Sequence, residues 1–153
     1  MNLNSYLPAS LAKATIVSHE TRALFDFQEY HQLNHPIILP AARLGSIIKD
    51  QLKNLEILDY GLTFEDGSFI IGPNGCRLQW PLTAAYALAV ATIAGASKIK
   101  LVGFDGYDTD YLLEKKMNEV IEVYETLNKA VELTAITPTS YKIKQGSIFS
   151  PEL

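Results

Sequence analysis

Three polar groupings along the chain have the residue types and the placement to meet a ligand. Thr83 follows Trp80-Pro81-Leu82 and opens an uncharged run from Ala84 to Ala94. A helix start offers free backbone N–H groups and a partial positive charge, and a threonine hydroxyl adds a donor, a set that suits a phosphate or a sugar. The same residue in the same place also serves as an ordinary helix cap. Asp105, Asp108 and Asp110 follow the apolar stretch that ends in Val102-Gly103-Phe104. Carboxylates at the carboxyl end of a strand can hold Mg²⁺ together with a ligand's phosphates, or bind sugar hydroxyls. Beside Gly103 and Gly106 they are also what a turn and a helix start require, so Asp108 and Asp110 read as caps and Asp105 as the site candidate. The third grouping is Thr137-Pro138-Thr139-Ser140-Tyr141, where the hydroxyls of Thr137, Thr139 and Ser140 could contact a phosphate or sugar, or simply make good loop chemistry.

The remaining reactive side chains carry less. His19 stands before Glu20 with no second positioned partner visible for acid–base work, and reads as a helix-start or solvent-facing histidine. His31 and His35 flank a helix end and complement its dipole. Cys76 beside Arg77 is either a thiol with lowered pKa or a small buried hydrophobe, the second being the default for a lone cysteine. Trp80 before Pro81 is a stacking platform for a base or a packing residue over the helix entry.

What positions these residues is an alternation of strands and helices. Lys13 to Ser18 reads as a strand, and Glu20 to Leu33 as a helix closed by Pro36. Ile37 to Leu39 is a buried strand, and Leu44, Ile47, Ile48 and Leu52 recur at helical spacing. Ile57 to Phe64 and Ser68 to Ile71 flank Glu65-Asp66-Gly67 as a hairpin or an irregular excursion. The Ala84 to Ala94 run predicts a helix buried on most of its surface and stopped by Gly95. Lys98 to Phe104 is a strand ending at Asp105. Tyr111 to Ala130 is an amphipathic helix with Leu112, Met117, Val120, Val123, Tyr124 and Leu127 inward, and Glu132 to Ile136 is the last strand. Such alternation predicts an α/β fold, a three-layer sandwich with a mainly parallel sheet covered on both faces, and places a ligand at the strands' carboxyl ends.

Composition narrows the function classes. The chain has 153 residues, 48% hydrophobic and 20% charged, which fits one domain with a proper core. A net charge of −4 with 13 thinly spread Lys and Arg gives no basic stripe, so duplex nucleic acid is not the expected partner. The single cysteine excludes an intrachain disulfide and no C-x-x-C pair offers a zinc site, so no metal of the chain's own is expected and a reducing cytoplasm fits. The start MNLNSYLPAS lacks a signal-peptide pattern and no apolar run is long enough to span a bilayer, so no membrane partner is expected. A glycine-rich G-x-G-x-x-G or G-x-x-x-x-G-K-[ST] loop does not occur. The abrupt start therefore predicts a domain excised from a longer chain, just after its first βα unit.

The run Arg77 to Tyr107, with Pro81-Leu82-Thr83 opening the helix, Ile93-Ala94-Gly95 closing it and Lys98 to Asp105 following, resembles bacterial sialyltransferases that decorate lipooligosaccharide. It is similar as well to the Rossmann-like domains of the hydroxymethylpterin diphosphokinase-like family. Those families place an Arg before a polar helix start, end an Ala-rich helix in Gly, and finish the next strand in G-x-D. Asn4-Ser5-Tyr6 sits where their second strand carries an Asn, and Lys129 to Ser140 looks like their late strand with its polar, Pro-containing loop. The chain also resembles the C-terminal, non-barrel domain of bacterial aldolase-like proteins of the hydroxymethylglutaryl-CoA lyase or 4-hydroxy-2-oxovalerate aldolase type, often encoded with surface-polysaccharide genes. The likeness covers about two thirds of the chain at motif level.

These resemblances imply a Rossmann-like sandwich lacking its first βα unit. They place Asn4 and Ser5 near a nucleotide and Thr83 beside a phosphate or sugar. Asp105, Thr137, Thr139 and Ser140 complete the ligand set, with Mg²⁺ entering with the nucleotide. The implied role is an accessory domain that binds a nucleotide or phosphorylated sugar. The alternatives are a glycosyl- or diphospho-transferase acting on a nucleotide donor, and a ligand-free dimerisation module that buries Phe25, Phe27 and Tyr30 between copies. Thr83-Ala84 stands where those families have Ser-Gly, and the missing glycine-rich turn argues against catalysis by this domain alone.

Overall fold

A run of β-branched and leucine side chains with no room for a helical turn builds the first sheet. In the computed structural model, which describes residues 11–107 and 110–149, Thr15–Ile16 (β1), Ile37–Leu39 (β2) and Ile57–Asp59 (β3) pair in parallel in the order β1-β2-β3. Thr15 stands opposite Ile37, and Ile37 opposite Ile57. The central strand is the most deeply buried, with Ile37 and Leu39 each 1% exposed. The helix expected over Glu20 to Leu33 is two short ones, Glu20–Phe25 (α1) and Phe27–Tyr30 (α2), separated by Asp26 at φ −99°, ψ 11°. Asp26 takes this sparsely used conformation while its carboxylate receives hydrogen bonds from Arg22 and from the Tyr30 hydroxyl. Tyr30 lies in the core at 2% exposure and Phe25 is 75% exposed, so of the three residues expected on an association face only Phe25 is exposed. Ser46–Leu52 (α3) buries Ile48 and Leu52 against the same core, while Ile47 faces out.

The expected Ile57-to-Phe64 strand is divided at Tyr60. Its second part, Gly61–Phe64 (β4), joins a separate three-stranded sheet with Phe69–Gly72 (β5) and Gly75–Leu78 (β6), in the order β4-β6-β5. β5 and β6 form a tight antiparallel hairpin through Pro73-Asn74, and β6 then pairs in parallel with β4. β6 has no counterpart among the strands that the sequence predicts. At the start of that parallel pair two glycines face each other. A Cβ on Gly75 would stand 2.6 Å from the Gly61 carbonyl oxygen and 2.7 Å from its Cα. Neither position can carry a side chain without moving backbone.

Thr83–Ile93 (α4) matches the expected apolar helix, with no residue before Ile93 exposed and Gly95 at φ 81° closing it. The chain divides into two compact units between Ala87 and Leu88, each with its own packing. The second contains Ile99–Leu101 (β7), Tyr111–Glu125 (α5), Leu133–Ala135 (β8) and Lys144–Gln145 (β9), with an all-parallel sheet ordered β7-β8-β9. β9 had no counterpart in the sequence reading. On α5, Met117, Val120, Ile121 and Tyr124 face the core, whereas Leu112, expected inward, is 59% exposed. Tyr124 anchors this unit through its hydroxyl, which bonds Thr92 Oγ1 at 2.7 Å and accepts the Val131 amide at 3.0 Å. The fold is therefore α/β, with three small and mostly parallel sheets. Among the described residues no helix is long and apolar enough to cross a membrane.

Candidate functional site

Because β7 and β8 are parallel neighbours, the loops that leave their carboxyl ends emerge on one edge, as a ligand edge requires. The first loop carries Asp105 and the second carries Thr137, Thr139 and Ser140, so four of the sequence-derived site residues share this edge. They are joined by specific bonds. The Gly103 amide donates to Thr137 Oγ1 at 2.9 Å, and the Ser140 amide donates to the Asp105 carbonyl at 2.8 Å. Thr139 Oγ1 accepts the Tyr141 amide at 3.2 Å, an ST-type turn that bends the second loop back toward the sheet. Beneath them the rings of Phe104 and Tyr141 pack with centroids 4.7 Å apart. The strand stops at Leu101 rather than at Phe104 as expected, so Asp105 lies four residues past the strand end, in the loop, and is exposed there.

A residue that the sequence reading did not single out organises this edge. Glu114, in the first turn of α5, accepts the Ser140 hydroxyl on Oε1 at 2.6 Å and the Tyr107 amide on Oε2 at 2.9 Å. These bonds, the Ser140 hydroxyl first and the Tyr107 amide second, hold its carboxyl below the usual glutamate range. Tyr141 is 5% exposed, and burial first and the Glu114 charge second push its phenol above the usual tyrosine value. Gly106 lies between the two loops at φ 125°, and a Cβ there would fall 2.0 Å from Ser140 Oγ. Asp110 accepts the Leu113 amide at 3.0 Å and is the helix cap that its place before Tyr111 suggested. The only sequence signal for Glu114 is an acidic residue in a first helical turn, which the helix dipole alone accounts for.

Thr83 belongs to the first compact unit. It is the first residue of α4, and its hydroxyl bonds the Ser18 hydroxyl at 2.8 Å, just past the carboxyl end of β1. Ser18 is 7% exposed, so this pair satisfies a buried polar group. In the same unit the Glu20 carboxylate accepts the Gly45 amide at 2.8 Å and Asp59 accepts the Ala41 amide at 2.8 Å. Asn4, Ser5 and Asp108 lie outside the described residues. His31 and His35 stand four residues apart, but His31 Nε2 meets the Gln51 carbonyl at 3.1 Å and His35 Nε2 meets Thr15 Oγ1 at 2.8 Å. Cys76 is buried, and burial pushes its thiol up to about 12, the opposite of an activated nucleophile. Among the described residues no three His, Cys, Asp or Glu side chains gather as a metal-binding group.

The arrangement can present an exposed carboxylate and a hydroxyl-bearing turn to a solute. No family model, curated protein or solved structure matches this chain.

Proposed function

We propose that the chain is a ligand-binding domain that takes a nucleotide or a phosphorylated sugar at the β7–β8 edge. The observation that supports this reading is the shared edge itself: two adjacent parallel strands end in loops carrying Asp105 on one side and Thr137, Thr139 and Ser140 on the other. In this reading the α/β fold is of the Rossmann-like, three-layer kind. The domain serves as the accessory part of an aldolase-like protein of bacterial surface-carbohydrate synthesis, in the cytoplasm. Asp105 is the only carboxylate of the set, so Mg²⁺ would be shared between it and the ligand's phosphates.

Thermal shift with CMP, UDP, ADP and their sugar conjugates, with and without Mg²⁺, tests the proposal. Stabilisation that Asp105→Asn removes supports it. A flat response to the whole panel refutes it. Binding accompanied by turnover of a nucleotide sugar would favour the transferase alternative. A dimer whose mass is unchanged by Phe25→Asp would refute the association reading, in which the 75% exposure of Phe25 is the relevant observation.

A further inference from the structure

Glu114 touches both loops of the candidate edge at once. The Tyr107 amide donates to one carboxylate oxygen and the Ser140 hydroxyl to the other, from segments 7 residues before it and 26 residues after it. Ser140 is held at both ends, its amide on the Asp105 carbonyl and its hydroxyl on Glu114. One turn further along α5, the Asn118 side-chain amide donates to the Glu114 carbonyl at 3.1 Å and its oxygen accepts the Lys142 amide at 3.3 Å. The helix thus grips the second loop twice and the first loop once, from an N-terminus fixed by Asp110.

We propose that Glu114 is the positioning residue of the edge: its carboxylate sets the Gly103–Tyr107 turn against the Thr137–Tyr141 turn, so that Asp105 and Thr139 are presented together. The inference rests on the ligand reading above, but it has a signature that needs no ligand. Among the described residues the titratable groups nearest Glu114 in the chain segments it bonds include Asp105 and Tyr107 on the first loop, Tyr141 and Lys142 on the second, and Asp110, Tyr111, Lys115 and Lys116 at the start of its own helix. Lys142 is engaged with Glu122 at 3.6 Å and Lys115 with Glu119 at 3.9 Å. Hydrogen bonds, the Ser140 hydroxyl first and the Tyr107 amide second, therefore favour the ionised form of Glu114, and protonation takes an acceptor from one of its donors.

The test uses the full chain. In wild type the Tyr107 amide proton should follow the Glu114 carboxyl as pH falls, with a midpoint below that of an ordinary glutamate. In Glu114→Gln that titration should vanish while α5 keeps its helicity, and Glu114→Ala should do the same. With whichever ligand of the panel stabilises wild type, Glu114→Ala should weaken binding about tenfold, and Glu114→Gln, which retains one acceptor, about threefold. A Tyr107 amide that ignores the Glu114 titration overturns the proposal, as does unchanged affinity in both variants. If nothing in the panel binds wild type, the ligand reading fails separately, and the amide titration alone decides whether Glu114 holds the two turns.

Discussion

Replacing Gly75 by alanine tests the close approach of β4 and β6. The new Cβ would lie 2.6 Å from the Gly61 carbonyl oxygen, 2.7 Å from its Cα and 2.8 Å from its carbonyl carbon. All three are backbone atoms, so no side chain can rotate away. Ordinary contact begins at 3.4 Å, and the strands would have to part by about 0.8 Å at this point. That movement strains the bond from the Gly61 amide to the Asn74 carbonyl, now 2.9 Å, and overpacks the start of the pair. Overpacking of this kind costs ~1–3 kcal/mol, and a weakened hydrogen bond adds ~1 kcal/mol. At roughly 2–4 °C per kcal/mol for a chain of this size, Tm should fall by about 5–15 °C. Gly67→Ala is the control: at φ 69°, with nothing within 4 Å of its Cβ, it pays only the left-handed backbone penalty of ~1 kcal/mol. Thermal unfolding followed by the single tryptophan, Trp80, two residues beyond β6, reports both variants. If Gly75→Ala melts with or above Gly67→Ala, the strands can part freely and the reasoning is refuted.

Thr83→Val should cost ~1–2 kcal/mol by leaving the buried Ser18 hydroxyl without its partner, and adding Ser18→Ala should recover much of that, a coupling of ~1 kcal/mol in a double-mutant cycle by denaturant unfolding. Tyr124→Phe removes both the Thr92 bond and the acceptor for the Val131 amide, and should lower stability by ~2 kcal/mol by the same measurement. On the alkaline side, burial raises Tyr60 and Cys76 to about 12. Their contribution is whole below the free-chain values of 10 and 9 and is lost as pH rises from there, so the denaturation midpoint should drop across that window. On the acid side, Glu65, Glu114 and Glu132 are held low by Arg77, Ser140 and Lys144 in turn. Stability should be flat above the usual glutamate range and decline below it, by a small amount because all three are solvent-exposed or nearly so.

The elements legible in the sequence are those defined by local chemistry. Ile37–Leu39 is bounded by Pro36 and Pro40, Thr83–Ile93 by Pro81 and Gly95, and Tyr111 follows the Asp110 cap. These stops act over one or two residues and need no partner. What escaped depends on partners far along the chain. Gly75–Leu78 is a strand because Gly61–Phe64 lies beside it, and four residues with one apolar alternation say little by themselves. Lys144–Gln145 is extended only through pairing with β8. The break at Asp26 leaves the apolar pattern of Glu20–Leu33 unchanged, so the pattern alone does not reveal it. For the site, strand order follows from parallel pairing, and it brought Asp105 and the Thr137–Ser140 turn to one edge as expected. Glu114 was invisible because an acid in a first helical turn is the ordinary choice, and its two donors can be identified only once the loops are folded.

The bonds that shape the β7–β8 edge draw largely on groups every residue possesses. Asp105 contributes its carbonyl, Gly103 and Tyr107 their amides, and Ser140 its amide as well as its hydroxyl. The exposed side chains at 105, 107 and 138 take no part in these bonds, and related chains could exchange them while the bonds persist. Such an edge is well suited to diversification: a library varying those three positions, with Gly106, Glu114 and Ser140 kept, should yield mostly folded members that differ in what they recognise.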